Sequence, residues 1–186
     1  MNIVLASQSP RRKQILKEMG YSFIVQPAIQ DEVFDVSLPL DQALIKVAFH
    51  KAMEVKQSYP DSLILAADTI VVFKNKILGK PKSEKEAFAI LSALSGHKHE
   101  VKTGVVILYG TQQKKFVSTS HVQFRSLSET EILNYIQEKK PFDKAGSYGI
   151  QECDFVKEYD GEYETIVGLP KIALQKALNE MHLESL

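Results

Sequence analysis

The sequence predicts an α/β (α+β) fold in which helices cover a sheet. Segments with helical periodicity alternate along the chain with short apolar runs that are typical of strands. No apolar run approaches the length of a membrane span, and no repeat or low-complexity tract interrupts the alternation. The chain has 186 residues, which is enough to bury a core, and we expect residues 1–186 to form a single domain.

The first half of the chain predicts three strands and two helices. A short buried strand at 2–6 leads into a helix that has Ser9 as its N-cap and Pro10 at its first position. Gly20 marks the end of this helix. A second strand, a long amphipathic helix and a strongly apolar strand are predicted at 21–26, 40–57 and 63–73.

Capping boxes mark the starts of two later helices. Ser83 with Glu86 begins a helix that ends near Gly96, and Ser128 with Glu131 begins another. Between these helices the pattern indicates a pair of strands, at 101–109 and 115–124.

The last third of the chain predicts a hairpin and a helix. Asp160-Gly161 is a strong turn signal, and the segments 155–159 and 162–167 on either side are read as its two strands. Pro170 opens a final amphipathic helix.

Composition limits the classes of function. Lys and Arg number 23 and Asp and Glu also number 23, so the formal charge is zero and non-specific nucleic-acid binding is disfavoured. The single cysteine, Cys153, excludes an internal disulfide and a zinc cluster built on thiolates. Arginines follow the apolar start instead of preceding it, which is the wrong order for a signal peptide. We therefore expect a cytoplasmic protein that is not in the membrane.

The segment from Ser7 to Lys13 places three cations in the first turn of a helix. The helix dipole makes each cation unfavourable there by about 0.3–1 kcal/mol unless an anion answers it. Backbone N–H groups, the hydroxyl of Ser7 and the guanidinium groups of Arg11 and Arg12 together suit a polyphosphate. A solvated basic turn is the alternative.

Asp68 interrupts an apolar strand, where aspartate is depleted. A buried carboxylate needs a metal ion, a lysine or backbone donors, unless it only caps a local turn at a strand break. Lys51 lies within the apolar stripe of the long helix, between Val47 and Val55. Alone it is read as a lysine whose stem packs while its amine reaches water, but beside a phosphate or carboxylate it becomes a fixed charge.

Three further segments are weaker candidates. Lys80 lies in a glycine–proline turn. Asp31 and Glu32, which are adjacent to each other in an earlier segment, are either solvated or hard ligands for magnesium or manganese. The glycine-rich segment 143–151 is either a flexible turn or a place where backbone approaches a ligand closely. It ends in Gln151, whose amide can match a uracil or thymine edge in two hydrogen bonds.

Two histidines, His97 and His99, flank Lys98 at the start of a strand. The sequence offers no third ligand that would complete a metal site with them. We interpret both as surface or loop residues.

Taken together, these segments resemble the Maf family of nucleoside triphosphate pyrophosphatases, once named septum-formation inhibitors. The resemblance runs from Leu5 to Pro170, and its specificity comes from the order and spacing of the motifs. The motifs are Ala6-Ser7-Gln8-Ser9-Pro10-Arg11-Arg12, Ala66-Ala67-Asp68-Thr69-Ile70-Val71, Leu94-Ser95-Gly96 with His99 and Thr103-Gly104, Asp143-Lys144-Ala145-Gly146, and Val167-Gly168-Leu169-Pro170.

The resemblance implies an inosine triphosphate pyrophosphatase-like fold, with a long mixed twisted sheet flanked by helices and a central cleft between two lobes. It implies hydrolysis of a nucleoside triphosphate to the monophosphate and pyrophosphate, dependent on a divalent cation, Mg²⁺ or Mn²⁺. It also implies a homodimer. The glutamine after Tyr-Gly-Ile, here Gln151, marks the branch that resembles dTTP/UTP pyrophosphatases, and we expect a role in cleansing the nucleotide pool.

The resemblance also implies roles for particular residues. Asp68 falls on the presumed general base, and Glu32 on the acidic metal-site residue, with Asp68 as a second potential metal ligand. Substrate-binding and catalytic positions fall on residues distributed along the chain: Ser7, Arg11, Arg12, Lys51, Thr69, Lys80 and Gln151.

The chain departs from the family pattern before and within the long helix. Many relatives carry Glu where this chain has Ser37, and Arg-Leu-Ala where it has Lys46-Val47-Ala48. These departures concern fine specificity and metal number more than the reaction. The family's older name supports a competing hypothesis, in which the chain binds a division partner and inhibits septum formation.

Overall fold

The computed structural model describes residues 2–29 and 34–181. Its secondary structure follows the predicted alternation of helices and strands. The strands are β1 (Ile3–Leu5), β2 (Phe23–Val25), β3 (Leu63–Phe73), β4 (Lys76–Leu78), β5 (Lys98–Tyr109), β6 (Gln112–Phe124) and β7 (Val156–Asp160). The helices are α1 (Pro10–Glu18), α2 (Leu40–Ser58), α3 (Glu84–Leu94), α4 (Glu129–Lys139), α5 (Tyr163–Val167) and α6 (Lys171–Glu180), with a 3₁₀ turn at Ala145–Ser147.

The strands form a seven-stranded mixed sheet in the order β2-β1-β3-β5-β6-β7, with β4 paired to β3. Strand β1 is parallel to both β2 and β3, whereas β3–β4 and β6–β7 are antiparallel. The predicted α/β class is confirmed. Within the described ranges, no helix combines the length and apolar character needed to cross a bilayer.

The chain divides into two compact units. Unit 1 comprises residues 1–68, 103–118 and 168–186, and unit 2 comprises residues 69–102 and 119–167. In unit 1, apolar residues of β1, β3 and β5 pack with α2 in one core cluster. In unit 2, α3 and α4 contribute to a second cluster that includes an aromatic group of Phe124, Tyr135, Tyr148 and Phe155.

The predicted hairpin at Asp160-Gly161 is wrong. Strand β7 ends at Asp160 and pairs with β6, and the residues that follow form α5 instead of a second strand. Gly161 has φ +102°, and a Cβ there would lie 2.6 Å from the hydroxyl oxygen of Ser120. Asp160 is not among the positive-φ residues, so the backbone lacks the pair of left-handed residues that a type I′ turn requires.

A tight hairpin occurs instead between β3 and β4, which the sequence reading missed. Lys74 and Asn75 have φ values of +49° and +62°, as a two-residue type I′ turn requires, and Phe73 pairs with Lys76 across the turn. The sequence lacks the glycine that usually marks this turn, so only Asn75 could have indicated it.

Both predicted capping serines are confirmed, but only one capping box is complete. Ser83 accepts a hydrogen bond from the N–H of Glu86, while the Glu86 carboxylate accepts from the N–H of Lys82. At α4 the exchange is reciprocal: Ser128 accepts from the N–H of Glu131, and the Glu131 carboxylate accepts from the N–H of Ser128.

The complete capping box gives a pH-dependent prediction. Hydrogen bonds from the Ser128 backbone and hydroxyl, then from Arg125, lower the pKa of Glu131 from 4.5 to about 2. A carboxylate with a lowered folded-state pKa stabilises the fold above its unfolded pKa, and this contribution is lost as the pH falls. We expect Glu131→Gln to lower the melting temperature at pH 7, and the difference from the parent to shrink between pH 4.5 and pH 2.

Thermal unfolding followed by circular dichroism across this pH range checks the prediction. Glu129→Gln is the control, because Glu129 is an exposed acid in the same first turn but lies outside the capping box. A difference between Glu131→Gln and the parent that stays constant with pH would contradict it.

Candidate active site

Asp68 and Lys51 form an ion pair in unit 1. The Lys51 Nζ donates to Asp68 Oδ1 at 2.8 Å, and both side chains are largely buried. Helix α2 packs on the face of β3 that presents Ile64 and Ala66, and alternation along the strand directs Asp68 to that same face. The lysine is therefore the compensating partner of the buried carboxylate, as one of the alternatives predicted.

A close approach of α2 to the sheet supports this pair. A Cβ at Gly104 would lie 2.9 Å from Leu44 Cγ and 3.4 Å from the Leu44 backbone, so glycine leaves the space that α2 occupies. Leu44 precedes Lys51 by seven residues, which is about two helical turns, so the two residues share a face of α2. A side chain at position 104 would displace the helix that carries Lys51.

The hydroxyl of Ser7 organises the loop that leads into α1. It accepts hydrogen bonds from the Ser9 N–H at 3.2 Å and from Arg12 Nη1 at 3.1 Å. Arg12 Nε donates to the carbonyl of Gly168 at 2.8 Å, and the N-cap Ser9 accepts from the Arg12 N–H. Arg12 is thus oriented by groups from two separate segments, and a freely solvated basic turn does not describe it.

Gly168 is a residue whose contribution the sequence reading missed. Its φ of +121° lies in the region that favours glycine, and its carbonyl faces Arg12 Nε. The only signal in the sequence was the motif Val167-Gly168-Leu169-Pro170, which carried the family resemblance without a physical role.

Strand register brings the Lys51–Asp68 pair and the loop that begins at Ser7 to one edge of unit 1. Leu5 of β1 pairs with Leu65 of the parallel strand β3, and the Ala6 N–H donates to the Leu65 carbonyl. The segment that begins at Ser7 therefore leaves β1 alongside the part of β3 that leads to Asp68. Ser7 follows the carboxyl end of β1, and ligands of α/β proteins commonly bind beyond the carboxyl ends of parallel strands.

α1 has no acidic residue in its first turn, and Arg11 and Arg12 are half-buried there. The positive end of the helix dipole and the two guanidinium groups together favour an anion at this end of α1. The arrangement combines this basic edge with the ion pair of Lys51 and Asp68.

Unit 2 carries three more of the predicted site residues. Thr69 is half-buried on β3, Lys80 is exposed after β4, and Gln151 is exposed on a turn closed by the Glu152 N–H and the Gly149 carbonyl at 2.9 Å. The Gly146 N–H donates to the Gly79 carbonyl at 3.1 Å. This bond joins the residue before Lys80 to the loop that carries Gln151.

The close backbone approach predicted in segment 143–151 has a structural cause. Gly146 has φ +71°, and a Cβ there would lie 2.8 Å from Cγ2 of Val71. The glycine therefore accommodates the part of β3 that belongs to unit 2, and this packing explains the glycine without a ligand.

The interpretation of His99 as a surface or loop residue is wrong. The same interpretation is confirmed for His97, which is exposed. His99 is 3% exposed, its Nε2 lies 2.8 Å from the Tyr148 hydroxyl, and its ring packs edge-on against Phe124. Burial lowers its pKa from 6.5 to about 4. Alternation in β5 places His99 in phase with the buried Val101 and Thr103, and this signal could have identified it.

A divalent cation fits the donor chemistry of this site in part. The carboxylate of Asp68 is the hard oxygen ligand that Mg²⁺ and Mn²⁺ prefer. The second predicted ligand, Glu32, lies outside the described residues. The described part of the chain contains no group of three or more His, Cys, Asp or Glu residues that could hold a metal ion.

Comparison with known proteins indicates the same family as the sequence motifs. The chain is 49% identical over 178 residues to a dTTP/UTP pyrophosphatase of Halalkalibacterium halodurans, covering 95% of this chain and 94% of that protein. It is 46% identical over 171 residues to a dTTP/UTP pyrophosphatase of a Geobacillus species, covering 90% of this chain and 91% of that protein. Among solved structures, a HAM1 protein from Coxiella burnetii aligns over 97% of this chain and 99% of that protein's chain. The TM-score is 0.49 and the sequence identity is 17%. A family model described as Maf-like protein matches residues 2–181, and the chain therefore belongs to the Maf-like protein family.

Proposed function

We propose that this chain is a nucleoside triphosphate pyrophosphatase that hydrolyses dTTP and UTP to the monophosphate and pyrophosphate. The observation that carries the proposal is the Lys51–Asp68 ion pair, which lies at the same strand edge of unit 1 as the loop of Ser7 and Arg12. A buried carboxylate that is paired with a lysine beside an anion-binding helix start suits attack of water on a phosphoanhydride. The names of the relatives support this reaction and this pair of substrates.

In unit 1, Ser7, Arg11 and Arg12 bind oxygens of the triphosphate. Arg12 is pre-oriented by Gly168, so less side-chain entropy is lost when it contacts phosphate. Lys51 places its positive charge beside Asp68 and offsets the charge that develops as pyrophosphate departs.

Asp68 accepts a proton from the water that attacks the α-phosphorus, which breaks the bond to the bridging oxygen and releases pyrophosphate. Glu32 with Asp68 would hold a divalent cation, which when bound supplies positive charge to the phosphate oxygens. If Asp68 serves only as its ligand, a different group must accept the proton.

In unit 2, Lys80 and Thr69 contact the substrate and Gln151 selects the base. The amide of Gln151 offers one donor and one acceptor, which match the N–H and a carbonyl of uracil or thymine. Cytosine presents the reverse order at this edge, an amino donor and a bare ring-nitrogen acceptor, so it matches only if the amide is turned around.

The cellular setting is part of the proposal. We infer a cytoplasmic homodimer that acts on free nucleotides, including modified pyrimidine nucleotides, and so cleanses the nucleotide pool. The formal charge of zero supports free nucleotides over nucleic acid as the substrate.

A triphosphate panel tests the proposed function. We expect the chain to release pyrophosphate from dTTP and UTP faster than from CTP and GTP in the presence of Mg²⁺ or Mn²⁺, and to lose this activity in EDTA. Gln151→Ala should lower kcat/KM for UTP by about tenfold while kcat/KM for CTP changes little, because one amide with two hydrogen bonds is removed.

The same assay separates this proposal from the hypothesis of a septation regulator. A protein that acts only by binding a division partner would release no pyrophosphate from any triphosphate. The names of the relatives describe an enzyme and do not favour that alternative. Unchanged base preference in Gln151→Ala would remove the role of Gln151 without removing the reaction.

A further inference from the structure

Lys144 is a buried lysine in the loop between α4 and β7. The residue is 7% exposed, although lysine is rarely buried unless its charge is paired. Its Nζ lies 2.8 Å from Asp143 Oδ1 and 3.2 Å from Glu152 Oε2. Removing an ammonium group from water is costly, and pairing with these two carboxylates offsets that cost.

The contact with Glu152 closes the loop that runs from Lys144 to the turn holding Gln151. Glu152 directly follows Gln151, and its N–H donates to the Gly149 carbonyl at 2.9 Å. The Gly149 N–H in turn donates to the Tyr135 hydroxyl at 3.0 Å. Gln151 is therefore held between two fixed points of the backbone, one on each side.

Gly149 lets the lysine stem pass close to this turn. A Cβ at position 149 would lie 3.1 Å from Lys144 Cε and 3.2 Å from Glu152 Cδ. The side chain of Lys144 thus packs beneath the turn while its ammonium group pairs with Glu152. Neither Lys144 nor Glu152 takes part in the proposed reaction itself.

We infer that Lys144 is a positioning residue for base selectivity, because through Glu152 it fixes the turn that presents Gln151. This inference rests on the proposed function. An amide distinguishes uracil from cytosine only if its donor and acceptor keep their orientation, so loosening the turn reduces discrimination before it reduces binding of the triphosphate.

The test measures kcat/KM for UTP and for CTP in Lys144→Met and in Glu152→Gln. The Glu152→Gln variant removes a charge from a more exposed residue and keeps its size, so it remains informative if Lys144→Met does not fold. We expect each variant to lower the UTP-to-CTP ratio by about fivefold, with kcat/KM for CTP changed less than twofold. Lys85→Met, an exposed lysine in the first turn of α3, is the control and should leave the ratio unchanged.

Combination with Gln151→Ala shows whether Lys144 acts through Gln151. In that background, Lys144→Met and Glu152→Gln should cause no further change in the ratio. Equal losses on UTP and CTP, or a loss of selectivity that persists without Gln151, would overturn the inference. Absence of pyrophosphate release by the parent protein would instead overturn the proposed function.

Discussion

Asp68→Asn should lower kcat for dTTP and UTP by about 10²- to 10⁴-fold, the contribution typical of general acid–base catalysis. The amide keeps the size of the side chain but neither accepts the water proton nor supplies a negative charge to a cation or to Lys51. Pyrophosphate release at saturating substrate measures the loss. Because Asn still accepts a hydrogen bond from Lys51, we expect far-ultraviolet circular dichroism to be unchanged.

Asp61→Asn is the matched control for this variant. Asp61 is exposed in the turn that precedes β3, so its substitution should leave kcat near the parent value. Near-parental turnover by Asp68→Asn would exclude the role of Asp68 as general base, because the amide cannot accept the water proton. Loss of secondary structure would instead mean that the charge of Asp68 is needed for folding.

Gly146→Ala should lower the free energy of unfolding by about 2–4 kcal/mol. Two costs combine: an alanine in a left-handed conformation, and a methyl group forced against a packed neighbour. The neighbour is Val71, which is 2% exposed within the core of unit 2 and cannot move away without disturbing that core. Urea unfolding followed by circular dichroism measures the change.

Gly110→Ala separates the two costs. Gly110 has φ +55°, but a Cβ there would meet nothing within 4 Å, so only the backbone cost of about 1–2 kcal/mol remains. A loss at Gly146 no larger than the loss at Gly110 would show that the contact with Val71 relaxes freely.

Local features of the fold were predictable because their causes lie within a few residues. Ser9 and Pro10 identified the start of α1, the apolar run at 63–73 gave β3 with its observed ends, and Ser128 gave the start of α4. The error at Asp160-Gly161 arose because a turn sequence can be followed by a helix as well as by a strand. Pairing of β7 with β6 decided the outcome, and such pairing is not visible in a local window.

The candidate site was predictable as a set of unusual residues but not as contacts. Asp68 and Lys51 each broke a local pattern, yet their ion pair depends on how α2 packs on β3 and on the missing side chain at Gly104. The carbonyl of Gly168 reaches Arg12 from the far end of the chain. Contacts between residues so far apart in the sequence depend on tertiary packing. Neither composition nor periodicity identifies the individual pairs.

The buried imidazole of His99 limits how acid–base kinetics of this protein can be interpreted. With a pKa of about 4, the ring stays uncharged at neutral pH, and protons reach it only under conditions far more acidic than those of a cell. Histidine is normally the first residue considered when a rate profile bends between about pH 5 and 8. A bend in that interval would have to originate from the substrate or from another ionising group.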